Sequence, residues 1–369
     1  MPPLPYVLGI DLAPSRTSAA TSGKHSDGWD APEPVLLGAR GPSTASALFL
    51  DDEGYLLTGD AARQAGAGAP ARLVTGFHQR VGDDVPLVVA GERFSPESLS
   101  TVLVEAIAEQ AAEHLGGAAG HLVLTHPGSW GGYRRELLRQ ALADTGLTAL
   151  TLIPAPIAAL HAHLPLPGPG DTFAGVCEYG PDGVSVTLAA SASGGWQPRL
   201  SAEGVDPAAA VGTLFELAHT ASVPPNALAG VVFCGEVEPA ALPPRLPCPV
   251  FAGPEPVLTA ALGAAILARR TRVPVETTLL PRVSAVPELT ERPPRPPVEV
   301  TPFVLPEKVS TLKRLGKRRP LAAAAAVVAV AATVGFFTLN NHEATAVKPT
   351  PPSSCTPAPG STPSLEGHC

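Results

Sequence analysis

The stretch 8-LGIDLAPSRTSAA-20 leads from an apolar run through an acidic residue, Asp11, into a turn. It begins like a hairpin that grips a phosphate group, in which backbone N–H groups converge on the anion. Such hairpins need glycine, because converging N–H groups require φ values that other residues avoid. Here Pro14 stands in the turn, with no N–H to donate and a fixed φ. The stretch therefore suggests nucleotide chemistry, but with one phosphate donor removed.

Histidines and cysteines do not group at metal-binding spacings. His161 and His163 have no third ligand near them in the sequence, and we expect both at the surface. Cys177, Cys234 and Cys248 occur singly, without a C-x-x-C spacing. We expect these three cysteines to be reduced and buried as small apolar residues.

The segments around the acidic turn predict an α/β domain. Residues 46–60 contain two apolar runs split by DDEG, which predicts a hairpin. Residues 95–117 predict a helix that Ser95 caps and Gly116 ends. Its apolar stripe is Leu99, Leu103, Ile107, Ala111 and Leu115. The remaining predictions are a strand at 121–130, a helix at 131–147, a strand and short helix at 148–164, a strand–turn–strand at 173–191, a strand at 230–236 and a helix at 256–270.

Composition divides the 369 residues into four regions. Residues 1–272 form the α/β head, with its working surface at the strand ends. Residues 273–319 are a Pro-rich and then basic linker, and residues 320–339 are an uncharged run long enough for a transmembrane helix. Residues 340–369 are a polar, Pro-rich tail that we expect to be disordered. The net charge of −8 argues against a nucleic-acid partner, since phosphate contacts need a basic surface.

The charges beside residues 320–339 predict the membrane orientation. Basic residues precede the run and are expected to contact lipid headgroups: Lys313, Arg314, Lys317, Arg318 and Arg319. The positive-inside rule then places the head in the cytoplasm and the tail outside the bacterial inner membrane. The N-terminal residues lack the pattern of a signal peptide. Cys355 and Cys369 would face an oxidising compartment, where they form either a disulfide or two free thiols.

The order of the turns resembles the nucleotide-binding domain of the DnaK-type heat-shock chaperones, in the actin-like ATPase superfamily. Six segments are similar to the family's motifs and collinear with them: 9-GIDL-12, 120–147, 153-IPAPIAAL-160, 177-CEYGPDG-183, 232-VFCGE-236 and 260-AALGAA-265. The resemblance implies a duplicated, ribonuclease-H-like fold. The short distance between residue 183 and Gly235 predicts that the second lobe is reduced. Nothing after residue 272 resembles the family's peptide-binding part.

The resemblance also implies where Mg·ATP would bind. The implied nucleotide-binding candidates are Asp11, Ser15, His78, Glu178, Gly180, Gly183, Gly235 and Gly263. Asp11 and Glu178 would hold Mg²⁺ through water, or else both are structural, with Asp11 capping local N–H groups at a strand end. His78 stands at the family's catalytic lysine and is either a phosphate contact or a solvated loop histidine. A shifted alignment offers Arg80 instead.

Several residues depart from the family's pattern. Ala13-Pro14-Ser15 replaces the G-T-T of the first hairpin, and Pro181 and Asp182 replace glycines of the second loop. Asp182 would place a carboxylate near the phosphates. The family's Asn and Glu beside the attacking water are replaced by Pro154 and Ala155, neither of which orders water or accepts a proton. Glu236 replaces an adenosine-site glycine and would crowd the base.

These departures favour a membrane-anchored, non-catalytic scaffold or regulatory module with a DnaK-like head. The first alternative is a conformational switch that binds Mg·ATP weakly through Asp11, Glu178 and Gly180. A third interpretation is a working chaperone ATPase that hydrolyses ATP. The protein partner, the oligomeric state and the role of the tail are not indicated by the sequence.

Overall fold

The computed structural model describes residues 5–38, 41–165, 172–192, 195–237, 242–243 and 245–270. The predicted linker, transmembrane helix, tail and basic cluster lie outside these residues, as do Cys355 and Cys369. Among the described residues, no helix has the length and apolar character needed to cross a membrane. The membrane span at 320–339 therefore stays a prediction.

The described elements up to residue 163 are, in chain order, β1 (Tyr6–Leu12), β2 (Arg16–His25), β3 (Gly28–Trp29), β4 (Glu33–Pro34), β5 (Ser43–Ala45), β6 (Ala47–Leu50), β7 (Leu56–Thr58), α1 (Gly59–Gly66), β8 (Leu73–Thr75), β9 (Leu87–Val89), β10 (Glu92–Phe94), α2 (Pro96–Leu115), β11 (His121–His126), α3 (Gly132–Asp144), β12 (Leu150–Pro154) and α4 (Ala155–His163). The later elements are β13 (Phe173–Gly180), β14 (Gly183–Ala192), β15 (Gly195–Val205), α5 (Ala210–Thr220), β16 (Leu228–Gly235), β17 (Val250–Phe251) and α6 (Thr259–Ala268).

The first half is built on a sheet with strand order β12-β11-β1-β2, to which β3, β4 and β5 add along β2. β1 pairs antiparallel with β2 and parallel with β11, and β11 pairs parallel with β12. Every residue of β1 is buried, as expected for a central strand with both faces covered. The carboxyl ends of β1, β11 and β12 therefore meet at one edge, where Asp11 emerges.

Helix α2 packs against one face of this sheet, because its apolar stripe faces inward. Ser95 caps its first turn by accepting a hydrogen bond from the backbone N–H of Ser98, and Gly116 ends it in a left-handed conformation at φ 80°. Both ends agree with the sequence prediction. Leu115, the last residue of the stripe, is 40% exposed, whereas the other four are buried.

The second half repeats the topology of the first. Its sheet has the order β15-β14-β13-β16-β17, in which β13 and β14 form an antiparallel hairpin and β16 and β17 run parallel to β13. β13, β14, β16 and β17 thus correspond in order and direction to β1, β2, β11 and β12. A mixed α/β fold with this internal repeat is consistent with the actin-like duplicated fold that the resemblance implies.

The two halves differ in size. In the first half, residues 47–94 form an insertion containing the β6, β7 and β8 sheet, α1 and the β9–β10 hairpin. In the second half, β15 leads to β16 through α5 and short 3₁₀ turns alone. The described residues of the second half therefore hold no counterpart of the insertion.

Helices α4 and α6 cross at the centre of the fold, between the two sheets. One side of α4 packs on the second sheet through Ile157 and Leu160. Ala158, on its other side, lies in a cluster with alanines of α6 and with Val7 and Val123 of the first sheet. The contact is so close that a Cβ added at Gly263 would lie 1.7 Å from the carbonyl oxygen of Ala158. At Gly9 in β1, an added Cβ would lie 2.3 Å from the amide nitrogen of Ala265.

We expect Gly263→Ala to destabilise the protein, because the added methyl group forces α6 away from α4. Overpacking of this kind costs about 1–3 kcal/mol or more, which exceeds the roughly 1 kcal/mol that alanine contributes inside a helix. The net loss should be visible in the midpoint of chemical unfolding.

Gly212→Ala in α5 is the matched control for this substitution. Gly212 is exposed, and an added Cβ there meets no atom within 4 Å among the described residues. This variant should therefore gain about 0.5–1 kcal/mol from helix propensity. Equal stabilisation by both substitutions would contradict the tight helix crossing.

Candidate functional site

A cleft of ≈ 290 Å³ opens where the two β-hairpin turns face each other. One wall is the β1–β2 turn around Pro14, and the opposite wall is the β13–β14 turn around Asp182. The carboxyl ends of β11 and β16 also contribute to the lining. The position follows the rule that ligand sites of α/β sheets lie at the carboxyl ends of parallel strands. Six of the eight predicted candidates line this cleft or stand at its turns: Asp11, Ser15, Glu178, Gly180, Gly183 and Gly235.

Asp11 lies at the floor of the cleft and is 6% exposed. The hydroxyl of Thr125, at the corresponding end of β11, donates a hydrogen bond of 2.5 Å to its Oδ1. Burial raises the pKa of Asp11 to about 6, although the bond from Thr125 opposes this change. A carboxylate so placed can either accept a proton near neutral pH or hold a cation through water.

Glu178, on β13, faces the same space from the second half. Its pKa is raised to about 8, first by desolvation and then by the negative charges of Asp11 and Glu203. Because the charge of Asp11 raises the pKa of Glu178, the pair favours a state in which one of the two carboxyl groups is protonated. Asp11 and Glu178 therefore form an interacting carboxyl pair on the floor of the cleft.

The β1–β2 turn is held by a serine that the sequence analysis missed. Ser46 is 2% exposed; its hydroxyl donates to the carbonyl oxygen of Ala13 at 2.6 Å, and its amide donates to the carbonyl oxygen of Ser15 at 2.9 Å. The turn is thus fixed on both sides of Pro14. The hydroxyl of Ser15 donates to Oε1 of Glu236, a residue of the second half.

The β13–β14 turn runs through Pro181 and Asp182 between the paired residues Gly180 and Gly183. Gly183 has φ 108°, and an added Cβ would lie 2.9 Å from the carbonyl oxygen of Val205. Glycine is therefore required there by backbone conformation and by packing. Asp182 is exposed and accepts a hydrogen bond of 3.0 Å from Nε2 of Gln79, which belongs to the first half.

His78 occupies neither of its two predicted situations. It is 1% exposed, which rules out a solvated loop histidine, and it lies in a 3₁₀ turn behind the cleft rather than among the lining residues. Its ring packs on Trp130 at 4.7 Å between centroids, and Trp130 also stacks on His126 at 5.8 Å. Burial and the neighbouring His126 lower the pKa of His78 to about 3, so the ring is neutral. The alternative residue Arg80 pairs with Asp83 at 3.1 Å and is likewise not a lining residue of the cleft.

Two predicted glycines have structural reasons of their own. Gly235 lines the cleft at φ 81°, and a Cβ there would lie 2.2 Å from the carbonyl oxygen of Tyr179. Gly263 does not line the cleft, because it lies at the crossing of α4 and α6. The assignment of Gly263 to the nucleotide site stays a prediction, and the lack of a side chain there is required by helix packing.

The remaining histidines and cysteines take no part in the cleft, apart from His126. The expectation of a surface position was wrong for His161, which is 6% exposed on the packed α4 helix. Cys177, Cys234 and Cys248 are free and buried, as expected. No group of three His, Cys, Asp or Glu residues suited to hold a metal ion occurs within the described part of the chain.

We expect Glu178→Gln to make the protein more stable at high pH and to reduce the pH dependence of its stability. The folded state keeps the Glu178 proton up to about pH 8, whereas the ordinary pKa is 4.5. The free energy of unfolding should therefore fall as the pH rises between these values and reach its low limit above the higher one. Glutamine cannot ionise, so the variant should gain on the order of 1 kcal/mol or more at pH 9 compared with pH 5.

Urea unfolding at pH 5, 7 and 9 measures this difference. Glu92→Gln, at an exposed position of β10, is the matched control and should leave the pH profile of the parent protein unchanged. If the stability difference between Glu178→Gln and the parent is the same at all three pH values, the pKa of Glu178 is not raised.

Comparison with known proteins finds similarity to chaperone proteins named DnaK, although no protein-family profile matches the chain. It is 28% identical over 162 residues to the chaperone protein DnaK of Elusimicrobium minutum, covering 42% of this chain and 25% of that protein. It is 30% identical over 159 residues to the DnaK of Picrophilus torridus and 28% over 159 residues to that of Methanothermobacter thermautotrophicus, with 42% of this chain covered in each case and 25% and 26% of those proteins. The match thus spans about a quarter of the length of these curated relatives. Together with the fold, this weak similarity suggests that the head is a nucleotide-binding domain like that of the DnaK chaperones.

Proposed function

We propose that this chain is a membrane-anchored, DnaK-like module that does not hydrolyse ATP and instead scaffolds or regulates other proteins at the cytoplasmic face of the membrane. The observation that carries the proposal is the combination of a well-packed actin-like core with a cleft whose two turns present Pro14 and Asp182 to the ligand space. The packing that forms the cleft is kept, while groups that would grip a triphosphate are replaced.

The hydrogen-bond donors of the cleft fit a nucleotide triphosphate poorly. Pro14 contributes no N–H to the first turn, and the hydroxyl of Ser15 is engaged by Glu236. On the opposite wall Asp182 brings a negative charge instead of a glycine N–H. Phosphate binding at such turns depends on convergent backbone donors, so each of these features weakens it.

The charges lining the cleft also oppose a polyanion. Its acidic side chains are Asp11, Glu178, Asp182, Glu203 and Glu236. Its arginines are Arg16 and Arg134. Arg16 already donates hydrogen bonds from its Nε and Nη2 atoms to Ser43. Like charges brought together in a partly desolvated space repel strongly unless a cation lies between them.

At the positions of the DnaK family's Asn and Glu, hydrolysis would also lack a group that activates water. Ala155 lines the cleft at the start of α4, and Pro154 ends β12 beside it. Neither side chain accepts a proton, and His78 is buried behind Trp130. General-base catalysis needs such a group within hydrogen-bonding distance of the water. We therefore assign no catalytic residue.

A weak Mg·ATP-dependent switch is the alternative function. It is favoured by the position of Asp11 and Glu178, which face the same cleft as Gly180 and Gly183. Both carboxyl groups could hold a divalent cation through water if the cation displaced the bound proton. A working chaperone ATPase would require, in addition, steady turnover that depends on Asp11.

We expect no binding of Mg·ATP tighter than about 100 µM, which corresponds to about −5.5 kcal/mol. Isothermal titration calorimetry of the 369-residue chain in detergent micelles measures this, with a DnaK chaperone in the same buffer as a positive control. An affinity tighter than that limit would favour the switch. ATP turnover that is lost in Asp11→Asn would favour the chaperone ATPase and contradict the proposal.

The membrane anchor gives a separate prediction. In intact cells, a membrane-impermeant maleimide should label Cys355 and Cys369 after mild reduction, because the basic residues before residue 320 favour a cytoplasmic head. Without reductant, absence of labelling would indicate a disulfide. The double variant Cys355→Ser/Cys369→Ser is the control and should not be labelled, since the three head cysteines are buried. Labelling of the parent only after cell lysis would contradict this orientation.

A further inference from the structure

The cleft is bridged by two hydrogen bonds that run between the halves of the head. Ser15 in the β1–β2 turn donates to Glu236, which follows β16. Gln79, in the 3₁₀ turn that holds His78, donates to Asp182 in the β13–β14 turn at 3.0 Å. In both bridges the first half provides an uncharged donor and the second half provides a carboxylate. Both bridging pairs lie among the residues that line the cleft.

The backbone on each side of the Ser15–Glu236 bridge is fixed. Ser46 clamps the carbonyl groups of Ala13 and Ser15. On the other side, the amide of Glu236 donates to the carbonyl oxygen of Tyr179 at 2.9 Å, directly after the left-handed Gly235. Because the backbone is fixed on both sides, the side chains of Ser15 and Glu236 can form this hydrogen bond only while the two halves keep their present separation.

We propose that these carboxylates act as internal substitutes for a ligand's anionic groups and hold the cleft closed when it contains no ligand. This inference rests on the proposed function, in which the cleft does not work by binding a triphosphate. A bound anion would accept hydrogen bonds from the first half, and here Glu236 and Asp182 of the second half accept them from within the chain. The resting state of the head is then the closed state.

Each bridge lies at the exposed rim of the cleft, and an exposed polar contact alone contributes little to stability. The two bridges join the same two halves across one cleft, however, so a motion that separates the two walls lengthens both hydrogen bonds. Breaking one bridge should therefore loosen the other. This coupling separates a closure device from two unrelated surface contacts.

The test is amide hydrogen exchange of the nucleotide-free 369-residue chain, read at the two turns. Gln79→Ala should speed exchange at Ser15 and Arg16, although Gln79 bonds to the opposite turn. Ser15→Ala should likewise speed exchange at Asp182 and Gly183. We expect about a threefold increase at these remote positions and a larger one at the turn next to the substitution.

Two matched variants distinguish the bridge from a general loss of stability. Glu236→Gln keeps an acceptor oxygen for Ser15 and should stay near the parent exchange rates, whereas Glu236→Ala should behave like Ser15→Ala. Glu92→Ala, on the exposed β10 strand, should change neither turn. The core strand β1 should keep its protection in every variant.

Strictly local effects, or no effect at either turn, would overturn the proposal and mean that the cleft is not held closed by these bonds. The measurement contains no nucleotide, so its result is independent of whether Mg·ATP binds. Faster exchange at the opposite turn together with measurable Mg·ATP affinity would support the closure by these bonds and contradict the scaffold function. Exchange changes confined to the substituted turn, together with no Mg·ATP affinity, would contradict the closure and leave the scaffold function standing.

Discussion

The contact between α4, α6 and β1 is the constraint on which the rest of the head depends. α6 comes from the end of the described chain, yet it packs on β1 from the beginning, at a distance that leaves no room for a side chain at Gly9 or Gly263. Dense interiors tolerate such an approach only where residues are small. The alanines at 158, 260, 261, 264 and 265 are buried at this crossing. Because these side chains are small, the two sheets, which have separate hydrophobic cores, can both pack on α4 and α6.

The crossing determines the geometry of the cleft. α4 begins directly after β12 of the first sheet and packs on the second sheet, while α6 covers β1 and leads back from β17. The carboxyl ends of β1 and β13 consequently face each other. Asp11 and Glu178 therefore line the same cleft, although they are 167 positions apart in the sequence. Their raised pKa values follow from this enclosure, because the packing that unites the sheets also removes water from the floor of the cleft.

The sequence predicted elements wherever a local signal existed. Ser95 and Gly116 mark the ends of α2 because capping is decided within a few residues. The Gly180–Gly183 turn and the β6–β7 hairpin were also predicted from short stretches. The resemblance to a family supplied the order of the motifs, which is why Asp11, Glu178 and Gly235 could be assigned to one cleft.

What could not be predicted depends on contacts between distant residues. Ser46 clamps a turn 33 positions before it, and Thr125 reaches Asp11 across 114 positions. Neither residue type nor periodicity marks such a partner. His78 was misjudged because its burial depends on Trp130, which lies 52 positions later in the sequence. A polar pattern around a histidine describes its neighbours in the chain and not its neighbours in the fold.

Three acidic residues of the cleft accept hydrogen bonds from other residues of the chain, and this constrains how the site can work. Asp11 accepts a hydrogen bond from Thr125, and Glu236 and Asp182 accept bonds from the opposite half. Glu178 differs from these three, because its raised pKa lets a proton neutralise it near neutral pH. A cleft that must bind an anion to satisfy its donors would leave those donors unpaired when empty, at a cost of about 1–3 kcal/mol for each buried group. In this head Asp11, Asp182 and Glu236 are paired within the chain, so the positions of these three side chains follow from the fold.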